Sequence, residues 1–167
     1  MGLSIHRQVK DSGCHVNTFL QTCLIDVYGH CGRMDLAADV FHKMAVKNVA
    51  SWNSMILGYV ESGKWANAMD LYARMDCKPN HITYIAALKA YTGCASEKLS
   101  TSGKISCLQQ GIDIHKKTEA AGFDRNIFVA KALLNMYCKC GQMKVAEQVF
   151  VSMNCRDTSP QLLGTSI

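Results

Sequence analysis

The feature that most constrains this chain is an internal repeat. When the 167-residue sequence is shifted by 109 residues, one offset superposes many identical residues, including the following fourteen pairs. They are Gly2/Gly111, Ile5/Ile114, His6/His115, Gly13/Gly122, Asn17/Asn126, Phe19/Phe128, Tyr28/Tyr137, Cys31/Cys140, Gly32/Gly141, Met34/Met143, Ala37/Ala146, Val40/Val149, Phe41/Phe150 and Met44/Met153. A single offset with so many identities indicates repeated structural units, and such units bury a continuous core only by stacking on their neighbours.

A shorter unit lies inside this period. A pattern of Tyr, Gly, Ala, Phe or Tyr, and Met occurs three times; its members are Tyr28, Gly32, Ala37, Phe41 and Met44, then Tyr59, Gly63, Ala68, Tyr72 and Met75, then Tyr137, Gly141, Ala146, Phe150 and Met153. The glycine suits the left-handed conformation that ends a helix. The stretch from Ala to Met has the i, i+3, i+4, i+7 spacing of a helix face. We therefore expect two helices per unit, with the Ala, Met and aromatic side chains in the core.

Stacked helix pairs of this kind predict an all-α fold, an α-solenoid of antiparallel helix pairs with a concave face. The composition agrees, with 49% hydrophobic residues and only 2 prolines. The net charge of +5 is compatible with a polyanionic partner. No apolar run is long enough to span a membrane, so no membrane association is expected.

The 9 cysteines form no C-x-x-C pair, and Cys138 and Cys140 form only a C-x-C. This spacing favours neither a structural zinc site nor a disulfide framework. We expect reduced, mostly buried thiols, as in an intracellular protein. No metal or other cofactor is predicted.

Several runs of the sequence resemble a plant pentatricopeptide repeat protein. They are Trp52-Asn53-Ser54-Met55-Ile56, Gly58-Tyr59, Gly63, Ala68 to Met75, Lys78-Pro79-Asn80, Gly111 to His115, and Ala132 to Gly141. The likeness covers residues 1–157, and these runs are similar to the alternating standard, long and short repeats of the subclass tied to organelle RNA editing. The resemblance implies a right-handed superhelix that binds single-stranded RNA in a mitochondrion or chloroplast, with other editing or processing factors as further partners.

On this resemblance we divide the chain into unequal units. They are 1–17 (part of a long repeat), 18–48 (short), 49–80 (standard type), 81–126 (long), 127–157 (short) and 158–167 (irregular tail). The long repeat carries extra residues near 97–107, and their Ser, Thr, Gly and Lys content predicts an unstructured loop. Because the chain starts inside one repeat and its tail does not continue the next, we expect a fragment or truncated gene product.

In this family, the fifth and the last residue of each repeat read one base of the RNA. The pairs here are Thr22 with Asn48, Asn53 with Asn80, Ile85 with Asn126, and Lys131 with Asp157. By the family rule, the first pair favours adenine and the second a pyrimidine. Ile85 cannot form hydrogen bonds, and Lys131 departs from the usual residues, so neither is assigned a base.

Each of these side chains could instead be a solvated polar residue at a helix end. We expect Asn53 to lie outside the core, so that Asn53→Thr changes stability by less than about 0.5 kcal/mol. Phosphate contacts are expected from Lys and Arg residues that the sequence does not single out.

The sequence shows no catalytic constellation, and the H-x-E…P-C-x-x-C pattern of zinc deaminases is absent. We therefore predict an RNA-binding protein and not an enzyme. Two alternatives remain open. One is a protein–protein adaptor of the tetratricopeptide type, and the other is a non-functional fragment of a longer gene of this family.

Overall fold

The computed structural model describes residues 17–97 and 101–157. Within these ranges every regular element is an α-helix and no strand occurs. The helices are α1 (Thr18–His30), α2 (Met34–Lys43), α3 (Val49–Glu61), α4 (Trp65–Arg74), α5 (His81–Glu97), α6 (Thr101–Ala120), α7 (Ile127–Lys139) and α8 (Met143–Asp157). The all-α prediction is confirmed for this part of the chain. The partial repeat 1–17, except Asn17, and the tail 158–167 lie outside the described residues.

Glycines in the left-handed conformation close the turn between the two helices of a pair. Gly32, Gly63 and Gly141 have φ angles of 70°, 69° and 76°. After Gly32, the N–H of Arg33 donates to the carbonyl of Tyr28 at 2.9 Å. This is the 6→1 hydrogen bond of a Schellman motif. The equivalent bond recurs after the other two glycines. The helix-ending role predicted for Gly32 is therefore confirmed.

The helices pack as a stack of pairs. The first helices of the pairs, α1, α3, α5 and α7, contact one another in chain order. Each of α2, α4 and α6 contacts its own first helix and the first helix of the following pair, and α8 contacts α7. The first helices therefore form one continuous layer, as in an α-solenoid, and their N-termini recur once per pair. The right-handed sense of the superhelix stays a prediction.

The contact between the first two pairs buries the predicted stripe. Ala37, Val40, Phe41 and Met44 are each at most 6% exposed. Trp52 of α3 covers this stripe, with its ring edge-on to Phe41 at 4.9 Å between ring centroids. Its indole N–H donates to the carboxylate of Asp76 at 3.0 Å, which satisfies the polar edge of a side chain that is otherwise buried. The core prediction is confirmed in this copy.

The other two copies follow the pattern less closely. In α4, Ala68 is fully buried and Tyr72 is half-buried. In α8, Ala146 is buried but Phe150 is 52% exposed, so the core prediction is wrong for this ring. No further helix pair packs on α8 within the described residues, whereas α3 covers the equivalent ring of α2. The side chain of Met153 lies outside the described part.

The predicted loop near 97–107 is wrong for residues 101–107. These residues begin α6, which has 20 residues, while α5 has 17 and ends at Glu97; residues 98–100 lie outside the described part. Cys107, Gly111, Ile114 and Thr118 are buried at spacings of four, three and four residues, which is a helix face. Because several of these side chains are small or polar, the stretch lacks the apolar signal of a helix and has the composition of a loop.

The described cysteines are all free thiols. Cys94 and Cys107 are buried in one small cluster, but Cys23, Cys31 and Cys138 are exposed. The expectation of mostly buried thiols is therefore wrong, because each helix of the stack also keeps a solvent face. Within the described ranges, no three His, Cys, Asp or Glu side chains are grouped so as to hold a metal ion. Nor does any described helix combine the length and hydrophobicity that crossing a bilayer requires.

Candidate nucleic-acid interface

Every first helix begins after an asparagine. The N-cap residues of α1, α3, α5 and α7 are, in order, Asn17, Asn48, Asn80 and Asn126. In each case the side-chain Oδ1 accepts a backbone N–H of the first helical turn, at 2.9 to 3.2 Å. An asparagine oxygen is among the best N-caps because it satisfies an N–H that the helix leaves unpaired. Asn48, Asn80 and Asn126, the last residues of three predicted repeats, are therefore also helix caps.

The cap uses the Oδ1 of each asparagine amide and does not use its Nδ2. Asn48 and Asn126 make no side-chain hydrogen bond through Nδ2 to another described residue. Asn48 is exposed, and Asn80 and Asn126 are half-exposed. At the fixed start of each first helix, the array thus presents amide N–H donors, which can bind the acceptor atoms of a base.

Asn53 and Asn80 meet, as the predicted pairing requires. The Nδ2 of Asn53 donates to the Oδ1 of Asn80 at 3.1 Å. The Oδ1 of Asn53 accepts the hydroxyl of Thr83 at 2.7 Å. Thr83 is fully buried and Asn53 is only 5% exposed. The expectation that Asn53 lies outside the core is therefore wrong, because the start of α5 closes over it.

Thr22 and Asn48 are not joined in this way. The Thr22 hydroxyl donates to the carbonyl of Thr18 at 2.8 Å, one turn back in its own helix. Asn48 forms a capping box with Ser51: the Ser51 N–H donates to Asn48 Oδ1 at 2.9 Å, and the Asn48 N–H donates to Ser51 Oγ at 3.1 Å. No hydrogen bond connects this pair of predicted readers, although both are within reach of solvent.

The remaining two predicted pairs have different surroundings. Ile85 is half-buried against the core of the last two pairs, and its partner Asn126 caps α7 with bonds to two backbone N–H groups. Lys131 is exposed. Asp157 is the last residue of α8, and its side chain lies outside the described part. The structure therefore gives no contact between Lys131 and Asp157.

A cavity of about 530 Å³ lies between α5 and α7, at the fifth positions of these two helices. Its lining consists of His81, Ile82, Ile85, Lys89, Thr92, Phe128, Lys131, Ala132 and Asn135. Among the described residues, this lining is mainly apolar and contains two lysines and no carboxylate. Such a site fits a flat apolar group that carries negative charge.

The sequence reasoning missed a row of exposed apolar side chains. Phe19, Ile82 and Phe128 are 72%, 40% and 67% exposed, and each follows a capping asparagine by two residues. Because these exposed apolar groups stand at equivalent positions of the repeat, we take them as candidates for a binding surface. The signal was present in the sequence, because Phe19 and Phe128 are one of the pairs at the 109-residue offset.

Two lysines that precede Asn48 in the sequence, Lys43 and Lys47, are engaged within their own helix pair. Lys43 pairs with the Asp39 carboxylate at 2.7 Å. Lys47 donates to the carbonyl of Met44 at 3.1 Å and lies over the ring of Phe41. Lys89 and Lys131 are exposed and line the cavity, so they are the better candidates for phosphate contacts.

Known proteins share this repeat. The family model described as PPR repeat family matches residues 47–92, and the one described as PPR repeat matches residues 22–49 and 129–157. The chain is a helical-repeat protein of the solenoid class. It belongs to the pentatricopeptide repeat family.

The relatives are much longer than this chain. The chloroplastic pentatricopeptide repeat-containing protein CRR2 of Arabidopsis thaliana is 34% identical over 161 residues, 93% of this chain and 23% of the relative. A second chloroplastic protein of this family from the same plant is 33% identical over 159 residues, 93% of this chain and 18% of the relative. A chloroplastic/mitochondrial one is 33% identical over 159 residues, 93% of this chain and 24% of the relative. The chain thus spans about a quarter or less of these relatives.

Proposed function

We propose that this chain binds single-stranded RNA along the row of first-helix N-termini, with one nucleotide per helix pair. The observation that carries the proposal is the recurrence of a capping asparagine, whose amide nitrogen is not used by the cap, at the N-terminus of every described first helix. An exposed Phe or Ile accompanies it in α1, α5 and α7. Single-stranded RNA is recognised by stacking its bases on apolar side chains and by hydrogen bonds to their edges. Both kinds of group recur here with the period of the repeat.

The cavity between α5 and α7 supports the same proposal. Its apolar lining, with Ile82 and Phe128 at the edge, suits a stacked base, while Lys89 and Lys131 supply positive charge for phosphates. Since none of the described lining residues carries a carboxylate, none of them repels a polyanion. Lys131 is then a phosphate contact more than a reader of base edges.

The finer assignments belong to this proposal. They are adenine at Thr22 and Asn48, a pyrimidine at Asn53 and Asn80, and the repeat boundaries 18–48, 49–80, 81–126 and 127–157. Asp157 completes the last pair. Binding would serve organelle RNA processing, or the recognition of C-to-U editing sites in a mitochondrion or chloroplast, with other processing factors as partners. The role assigned to this chain is recognition, and no catalytic step is assigned to it.

The test is salt-dependent binding of fluorescently labelled RNA 12-mers, followed by anisotropy. Homopolymers of A, C and U place the same base at every repeat, so the unknown register does not matter. The variant is Lys89→Glu with Lys131→Glu, and the control is Lys43→Glu with Lys144→Glu. The control changes the net charge equally, and its two lysines lie on second helices.

We expect the wild-type chain to bind at low salt, with log affinity falling by about 0.7 per phosphate contact for each unit of log salt. The cavity variant should bind more weakly, and its slope should be lower by about 1.4, which corresponds to two lost contacts. The control should keep the wild-type slope. Absence of binding to all three homopolymers at low salt contradicts the proposal, and binding to a peptide pool instead would favour the protein–protein adaptor.

A further inference from the structure

Thr83 links two repeats at the residue that the proposed function assigns to base reading. It is the third residue of α5 and fully buried, and its hydroxyl donates to Asn53 Oδ1 at 2.7 Å across 30 residues of sequence. Its hydroxyl oxygen also accepts the backbone N–H of Asn80 at 3.1 Å. Its own backbone N–H donates to Asn80 Oδ1 at 3.1 Å. Thr83 therefore touches both members of the pair Asn53 and Asn80.

These contacts determine which way each amide faces. A backbone N–H can only donate, so the N–H of Thr83 requires Asn80 to present its oxygen. An oxygen at that position requires Asn53 to present Nδ2 towards it, as the 3.1 Å bond shows. The Oδ1 of Asn53 is then left facing the hydroxyl of Thr83. The orientation of the reading amide is thus imposed by the next repeat and not by its own helix.

The other repeats lack this link. The third residue of α3 is Ser51, whose hydroxyl bonds only to Asn48 and does not reach Thr22. The third residue of α7 is Val129, which has no hydroxyl and follows the apolar fifth residue Ile85. Within the described residues, Thr83 is therefore the one third-position side chain that bonds to the fifth residue of the preceding repeat.

We propose that Thr83 is a positioning residue for base discrimination in the preceding repeat: it holds the amides of Asn53 and Asn80 so that N–H groups are what they offer to RNA. This inference rests on the proposed function. The oxygen of Asn80 accepts from both Asn53 and Thr83, and that of Asn53 is turned to Thr83. One N–H of Asn53, whose side chain is 5% exposed, and both N–H groups of the half-exposed Asn80 amide form no bond to another described residue.

A site that offers N–H groups favours a base edge with adjacent acceptors. Among the four bases, only cytosine carries two neighbouring acceptors, N3 and O2, on its Watson–Crick edge. Uracil carries an N–H at position 3, which would face a donor. If the hydroxyl of Thr83 is removed, Asn53 keeps its bond from Nδ2 to Asn80 but loses the partner that holds its oxygen. The amide can then rotate about the remaining bond and offer that oxygen to the N–H of uracil.

The test compares Thr83→Val, which keeps the shape of the side chain but removes the hydroxyl, with Thr83→Ser, which keeps the hydroxyl. Ser51→Ala is the matched control, because it removes a capping-box hydroxyl at the same position of α3 that makes no bond to a fifth residue. The readout is the ratio of affinities for 12-mers of C and of U, measured by fluorescence anisotropy. Homopolymers present the same base to every repeat, so one changed subsite alters the ratio by its own factor.

We expect Thr83→Val to reduce the C-to-U ratio about fivefold, the equivalent of roughly one hydrogen bond. Thr83→Ser and Ser51→Ala should keep the wild-type ratio, even where Ser51→Ala lowers stability. An unchanged ratio in Thr83→Val, or an equal change in Ser51→Ala, overturns the inference.

A second measurement does not depend on RNA. Urea unfolding of Asn53→Ala, Thr83→Val and the double variant gives the coupling between the two residues. Each single variant lowers the folding equilibrium constant by some factor. We expect the factor for the double variant to be about five times smaller than the product of the two single factors. Independent effects would overturn the positioning role. If no homopolymer binds, the proposed function fails, and the unfolding cycle alone decides whether Thr83 holds Asn53.

Discussion

Replacement of Asn53 by alanine tests the structure of the candidate site directly. The change removes the bond from Asn53 Nδ2 to Asn80 at 3.1 Å and the bond from the Thr83 hydroxyl to Asn53 at 2.7 Å. At about 1 kcal/mol net for each bond, the loss is about 2 kcal/mol. The Thr83 hydroxyl recovers a part by turning to Asn80 Oδ1, which lies 3.1 Å away. The better helix propensity of alanine recovers a further part.

The matched control is Thr22→Ala, at the equivalent position of the preceding repeat. The Thr22 hydroxyl bonds only to the carbonyl of Thr18 in its own helix. Removing such a bond costs little, and the better helix propensity of alanine offsets a similar amount. The net change in the free energy of unfolding should therefore be within about 0.5 kcal/mol. The difference between the two variants therefore isolates the bonds that Asn53 makes to the next repeat.

The measurement is urea unfolding followed by circular dichroism at 222 nm, with the slope against urea compared between variants. An unchanged slope means that a shifted midpoint reports stability. We expect Asn53→Ala to be less stable than Thr22→Ala by about 1 to 2 kcal/mol. If the two variants are equally stable, Asn53 does not form the bonds described here, and the proposed role of Thr83 fails with it.

Three further results are expected. Gly93→Ala should cost about 1–3 kcal/mol in thermal unfolding, since an added Cβ would lie 2.5 Å from the Trp65 ring; an unchanged melting temperature would contradict that packing. The Arg33 guanidinium lowers the pKa of Asp35 to about 2, so the stabilisation by this carboxylate is complete above about pH 5 and is lost as the pH falls towards 2; Asp35→Asn should flatten acid unfolding over that range. Burial raises the pKa of Tyr72 to about 12, so Tyr72→Phe should remove the most alkaline part of the tyrosine absorbance titration at 295 nm.

The helix pairs could be predicted because their signals are local. A glycine with positive φ ends a helix wherever it falls, so Gly32 and Gly63 mark the turns without knowledge of the rest of the chain. The stripe from Ala37 to Met44 has the spacing of a helix face, and its burial follows once neighbouring pairs stack. The asparagine caps could have been predicted in the same way, since Asn48 precedes a helical pattern.

The errors concern features that depend on distant partners. The start of α6 has the composition of a loop, and it is helical because Cys107 and Gly111 pack against other helices. Asn53 has the sequence signature of a surface residue, and it is buried because Thr83, 30 residues away, closes over it. A repeat period predicts which positions are equivalent. It does not predict which of these positions is buried, since Thr22 is equivalent to Asn53 and remains half-exposed.

Because the capping asparagines have two roles, few residue types are compatible with their positions. The Oδ1 of Asn48 or Asn80 stabilises the start of a helix, and under the proposed function the same amide contacts a base through its nitrogen. Only residues that cap well, such as Asn, Asp, Ser and Thr, can vary at this position without a loss of about 0.5–2 kcal/mol. Each of them fixes its oxygen on the helix and offers RNA what is left. The chemistry available for reading a base is therefore selected first by the stability of the helix that follows.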